Sequence, residues 1–215
     1  MMKLISVNIG RPFPVFHESR FINTGIFKAS ISGPVMLRRL NLDGDGQADL
    51  RVHGGADKAV YVYPFEHYAF WAGELSRDDF DHGQFGENFT VIGLLEDAVF
   101  IGDEFQIGEA RVQVTQPRSP CFKLGIRMND DQFPALFSAV NRTGFYLRVL
   151  QEGRVSAGDV IRHSVHTDSL SVRDVFRMRY TSGTREEYER AVCLPSLSAS
   201  WRAVFEKRLA EGPLV

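Results

Sequence analysis

The sequence predicts a mainly β protein with helices: a barrel or folded sheet over residues 1–166, then a small three-helix unit over 167–215. Three observations predict it. The first three-quarters of the chain breaks into short alternating segments separated by glycine-bearing turns, the pattern of a barrel or folded sheet. Near Asp168 that texture gives way to polar caps that introduce amphipathic stretches. The 215 residues, 44% hydrophobic with 17 Phe, suffice for one full core or a core plus a small appendage.

In chain order, Lys3 to Ile9 alternates like a strand and lacks the long apolar core of a signal peptide. Pro64 through Leu75 sets Phe65, Tyr68, Ala69, Ala72 and Leu75 on one helical face, with Pro64 tolerable in the first turn. Glu104–Ile107 and Arg111–Thr115 are strands, and Asp131–Val140 is a shorter helix with Pro134 near its start. Phe145–Leu150 and Asp159–Val165 are two more strands, joined through Glu152-Gly153 and Ala157-Gly158. Ser171 is an N-cap with Asp174 at the capping-box position and Leu170 and Val175 spaced as a hydrophobic staple. Thr184 with Glu187 repeats that signal, and Ser198 opens a third helix whose Trp201, Val204, Phe205 and Leu209 share a face.

A net charge of −2 gives no reason to expect nucleic acid or an anionic membrane as partner. Three short helices invite a DNA-reading interpretation, but residues 168–215 carry eight Lys/Arg against seven Asp/Glu, too balanced for a phosphate footprint. No apolar run approaches the roughly 20 residues of a spanning helix. Two cysteines make neither a disulfide framework nor an iron–sulfur site. The expectation is a soluble cytoplasmic protein.

Three stretches could carry chemistry. Gln116-Pro117-Arg118-Ser119-Pro120-Cys121 holds a thiol beside a permanent cation on a proline-stiffened loop, which favours the thiolate. A small buried core cysteine explains the same residue equally well. Val52-His53-Gly54-Gly55-Ala56-Asp57-Lys58 can turn backbone N–H groups inward around an anion, with Lys58 as point charge and His53 as switchable donor. A solvated turn is the alternative, and Gly-Lys-Ser/Thr of a P-loop is missing. Phe85-Gly86-Glu87-Asn88-Phe89 offers the Asn88 amide to a polar ligand or is an ordinary turn entering a strand. Asp43 to Asp49 fails as a calcium loop, because the required glycine and bidentate glutamate fall on Ala48 and Gly54. His163 and His166 read as surface residues and Cys193 as a packing residue.

Together and in this order, these stretches resemble the MOSC superfamily, specifically its YiiM branch. The matching residues are Asp49 through Val60, Tyr63-Pro64 with Glu66-His67-Tyr68, Phe85 to Asn88, Gly102-Asp103, Gln116 to Leu124, Gly144 to Tyr146, and Leu197-Ser198 with Ser200-Trp201. The resemblance implies a MOSC-type β-barrel core with a C-terminal three-helix subdomain. It further implies a molybdenum cofactor (molybdopterin) whose metal is ligated by Cys121, with His53, Gly54, Gly55, Lys58, Asn88, Arg118 and Ser119 among the cofactor contacts. The implied activity is reduction of N-hydroxylated bases such as 6-N-hydroxylaminopurine. A dinucleotide fingerprint and cluster cysteines are both missing, so electrons are expected from a separate flavoprotein or ferredoxin-type donor. Non-catalytic carriage of the cofactor or of sulfur, and a cysteine hydrolase using His53 as base, are the rival expectations. A monomer or homodimer is expected.

Overall fold

Strands form first where apolar residues alternate. In the computed structural model, which describes residues 1–211, β1 (Lys3–Ile9) is followed by the hairpin β2 (Phe13–His17) and β3 (Arg20–Thr24). Two short strands, β4 (Ala29–Ser30) and β5 (Val35–Leu37), lead to a one-turn helix α1 (Leu50–His53) and a 3₁₀ turn at Ala56–Lys58. Then come β6 (Val60–Pro64), α2 (Glu66–Leu75), β7 (Phe89–Ile92), β8 (Glu104–Ile107) and β9 (Ala110–Pro117). Two short helices, α3 (Phe122–Met128) and α4 (Phe133–Ala139), precede β10 (Phe145–Gln151), β11 (Gly153–Val155) and β12 (Ile161–Val165). The chain continues into α5 (Val172–Tyr180), α6 (Arg185–Val192) and α7 (Ala199–Ala210).

Eight strands form one mixed sheet in the order β12-β8-β9-β10-β6-β7-β1-β4. Every pair is antiparallel except β6 with β7. The expected closed barrel is not formed. The free edge of β1 is divided: Asn8 and Ile9 pair with β4, while the start of the strand meets the approach to β12 through a single bridge, Lys3 to Val160. The sheet curls towards closure, but no continuous ladder completes it. Pro64 is the last residue of β6 rather than the first turn of α2: it pairs with Val91 in the parallel ladder, and the Phe65 N–H still donates to the Val91 carbonyl at 2.6 Å.

Two apolar clusters hold the elements. The larger runs from the sheet (Val7, Val62, Phe105, Val112, Phe145) without a break into α5–α7 (Val175, Phe176, Tyr188, Trp201, Phe205). The helical unit therefore shares the core of the sheet. Its caps are those the sequence predicts: Ser171, Thr184 in a full capping box with Glu187, and Ser198. The second cluster is aromatic, with Tyr63, Trp71, Phe85, Phe133 and Phe137 packed on the outside of β6. Trp71 stacks on Phe137 at 5.5 Å, and its indole N–H donates to the Tyr63 hydroxyl at 2.7 Å. This cluster seats α3 and so fixes the loop before it. His67 and Glu96 are buried beside it, 2.7 Å apart, and Glu96 also accepts the Gly144 N–H.

Because the core is continuous, Trp201→Ala is expected to destabilise the whole molecule by about 3–5 kcal/mol. Urea unfolding followed by near- and far-ultraviolet circular dichroism should show one coincident transition; separate sheet and helix transitions would contradict the shared core.

Candidate functional site

The loop between β9 and α3 delivers the thiol. Arg118 N–H bonds to the Gly144 carbonyl at 3.1 Å, which anchors the loop on β10, and Cys121 is extended (φ −133°) just ahead of the first turn of α3. Cys121 is half-buried and faces a cleft shared with His53, Lys58, Arg118, Ser119 and Lys123.

The opposite wall comes from the segment before β6. Asp49 caps α1 by accepting the Arg51 N–H at 3.1 Å, and the single turn carries His53 into the cleft. Gly55 then takes φ +97°, a conformation that costs glycine nothing, and the 3₁₀ turn brings Lys58 round beside His53. Gly54 and Gly55 do not themselves line the cleft; they shape the bend behind it. Lys58 Nζ donates to the Val52 carbonyl at 2.7 Å, and neighbouring Asp57 is held by Arg148 at 2.6 Å.

Positive charge accumulates here. Burial pushes His53 down to about 4, helped by Lys123, Arg118 and Lys58, so the imidazole is neutral at pH 7. Burial and the Arg179 guanidinium lower Lys58, with Asp57 opposing. Arg118 is 5% exposed, its guanidinium 5.0 Å over the Tyr61 ring and 5.5 Å over Phe137, and its Nη1 makes no hydrogen bond. A buried guanidinium nitrogen without an acceptor costs free energy unless an anion reaches it. Arg118 thus brings an incompletely satisfied cation to the cleft wall.

Asn88 lines the same cleft, yet its amide is already engaged. Oδ1 accepts the Tyr61 N–H at 3.1 Å, while Nδ2 donates to the Asn8 carbonyl at 3.2 Å and to Asp45 Oδ2 at 2.9 Å. Glu87, fully buried, accepts from Gly83 N, Phe85 N, Thr90 Oγ1 and the Tyr68 hydroxyl. The Phe85–Asn88 stretch is thus fastened internally and supports the site from behind.

Sequence reasoning missed several lining residues. Asp45, in the rejected calcium loop, forms a buried pair with Lys28 at 2.5 Å and accepts the Gly10 N–H at 2.8 Å. Tyr61, Tyr146 and Lys123 also face the cleft; Tyr61 carried no sequence signal beyond its place in a strand, while Tyr146 and Lys123 lay in the matching stretches without being singled out as contacts. His163 and His166 are not merely surface residues: both approach the buried Asp103 carboxylate, at 3.2 and 3.3 Å. Cys193 is exposed at the end of α6 rather than packed.

A MOSC domain profile matches residues 49–162, and a YiiM-like three-α-helix domain profile matches residues 170–212. The chain belongs to the YiiM-like MOSC family. It is 45% identical over 207 residues to YflK of Bacillus subtilis (strain 168), covering 95% of this chain and 93% of that protein. It is 34% identical over 194 residues to YiiM of Escherichia coli (strain K12), covering 89% and 87%. A Gibberella moniliformis protein named reductase matches at 33% identity over 75% of this chain and 30% of its own length. The crystal structure of YiiM from Geobacillus stearothermophilus superposes with a TM-score of 0.82 at 34% identity, covering 97% of this chain and all of that one. No helix among the described residues is long and apolar enough to cross a membrane.

The lowered His53 has a measurable consequence. Between about pH 6.5 and 4 the unfolded chain binds more protons at this residue than the folded one, so stability is lost as pH falls through that window. His53→Asn should flatten the decline in melting temperature across it; an unchanged slope would show that His53 is not the titrating group.

Proposed function

We propose that this cleft binds a molybdenum cofactor through Cys121 and reduces N-hydroxylated bases and related N-hydroxy compounds. The observation that carries the proposal is the meeting, in one cleft, of Cys121 and Arg118, a cation whose buried Nη1 has no partner. The residues present fit the group that the family implies. A thiolate suits a soft, sulfur-rich metal centre. Arg118, Lys123 and Lys58 supply the positive charge that the anionic pterin phosphate requires, at about 1.5–3 kcal/mol per charge-assisted hydrogen bond. Lys28 adds none of this charge, because Asp45 neutralises it.

When bound, the cofactor supplies the two-electron redox chemistry that the side chains lack. The overall change is R–NH–OH plus two electrons and two protons to R–NH₂ and water: the N–O bond breaks, nitrogen is reduced and oxygen leaves as water. The chain must orient the substrate and deliver the protons. His53, neutral at pH 7, can relay a proton through its ring nitrogens. Tyr146, kept protonated by burial, can donate a hydrogen bond to the departing oxygen. Tyr61 cannot, since its hydroxyl is committed to the Thr143 carbonyl at 2.8 Å. Electrons come from a separate cytoplasmic flavoprotein or ferredoxin-type donor. The reductase name carried by the Gibberella relative supports redox chemistry of this kind.

A cysteine hydrolase with His53 as base draws less support. An imidazole titrating near 4 is a weak base at pH 7, and the orphan Arg118 nitrogen would have no task.

Metal and pterin analysis of protein from a cofactor-producing host, with turnover of 6-N-hydroxylaminopurine under a chemical reductant, tests the proposal. Cys121→Ala should lower reduction more than about 100-fold while leaving the circular dichroism spectrum unchanged; retained turnover would remove the thiol from the reaction. Arg118→Met should weaken cofactor retention about tenfold during dialysis, and full molybdenum occupancy would refute its anion role.

A further inference from the structure

A second compartment adjoins the first on the side away from Cys121. It opens at the seam between the sheet and the helical unit, with about 310 Å³ of cavity, and shares His53, Lys58, Ser119 and Tyr146 with the Cys121 cleft. Its own walls are Arg51, Gln116, Arg179, Ser200 and Trp201.

Three independent features there call for the same kind of ligand. Arg179 and Lys58 face one space as like charges, and the nearby carboxylates are occupied elsewhere, Asp57 by Arg148 and Asp49 by Arg51. The Arg179 guanidinium is laid over Trp201 at 4.7 Å and Tyr180 at 5.6 Å, which fixes its plane and leaves its N–H groups for something else. The second feature is the start of α7, a twelve-residue helix whose first turn includes Ser200 at the compartment wall. Its Ser198 hydroxyl already accepts the Trp201 N–H, and the N–H groups ahead of it carry the positive end of the helix dipole. The third is Gln116, a wall residue 2% exposed, whose buried Oε1 has no partner. An acceptor buried in this way needs an N–H or O–H donor from a ligand. Two cations and a helix start select an oxyanion, and Gln116 selects a hydroxyl beside it.

We infer that the seam seats the phosphate of an organic phosphate monoester, and that the substrate is an N-hydroxylated nucleotide rather than the free base. Arg179, Lys58 and the α7 start bind the phosphate, a sugar hydroxyl donates to Gln116 Oε1, and the base extends past His53 and Ser119 towards Cys121. The Cys121 cleft has Arg118 and Lys123 for its own anion and shares Lys58 with the seam, so Arg179 is the cation surplus to it. The identity of the substrate rests on the proposed reductase activity; the phosphate seat itself does not.

Calorimetric titration of adenosine 5′-monophosphate and of adenosine into the cofactor-loaded protein, with Arg179→Ala and Gln116→Leu beside the wild type, separates the two. The monophosphate should bind at least about tenfold more tightly than the nucleoside. That advantage should vanish in Arg179→Ala, and Gln116→Leu should weaken both ligands. Equal affinities, or an advantage that survives Arg179→Ala, would overturn the seat. If the monophosphate binds only cofactor-free protein and Arg179→Ala sheds molybdenum, the seam serves the cofactor and the substrate assignment falls. Turnover completes the test: reduction of 6-N-hydroxylaminopurine but not of its ribonucleoside monophosphate refutes this inference alone. Reduction of neither refutes the reductase reading, while the titration still decides the seat.

Discussion

The cleft rests on a buried carboxylate. Asp45 is surrounded by Lys28, the Asn88 amide and the Gly10 N–H, and these three come from the segment before β4, the entrance to β7 and the end of β1. A desolvated ammonium tolerates burial only with such a partner, and a desolvated carboxylate only with several donors. The charges cancel inside the molecule, so this knot fixes the floor of the cleft without adding to its field. The field then comes from groups with no acidic partner inside the cleft, Arg118 and Lys58 above all. Neutral floor and cationic walls are separate devices, and the separation lets the walls serve a ligand.

The same economy shows in the motif residues. Glu87 and Asn88 lie in a stretch that resembles a binding motif, yet their polar atoms are spent on backbone groups of their own and neighbouring segments and on the Tyr68, Thr90 and Asp45 side chains. Gly55 acts through φ and reaches no ligand space itself. Residues that shape the site are therefore as specific in identity as residues that face it, because each satisfies a buried group with one geometry available.

Much of the fold was legible in the chain. Lys3–Ile9 and Glu104–Ile107 alternate cleanly and form those strands, and all three C-terminal helices begin at the caps their sequence displays. The hairpin β2–β3 was not legible: its turn uses Glu18 and Ser19 at positive φ, where glycine or asparagine would have announced it. Helix α3 is seven residues long and too short to show a period, so the placement of Cys121 at its head could not be read. Barrel closure failed as an expectation because it depends on how the two ends of a sheet meet, and no local pattern encodes that. Within the site, His53, Lys58, Arg118, Ser119 and Cys121 converge on one cleft with Tyr146 and Lys123 from the quoted stretches, whereas Tyr61 and Arg179 join them only through tertiary structure.

The unbroken apolar contact between β9 and α5–α7 has a consequence for how such chains can change. β9, which holds the buried Val112 and Val114, packs against α5, so a polypeptide stopping after β12 would present a greasy strip in place of a finished wall. The helical unit is consequently no removable accessory. Gain or loss of this segment over evolutionary time would have to be matched by recolouring the sheet beneath it, which ties the two halves into one heritable unit.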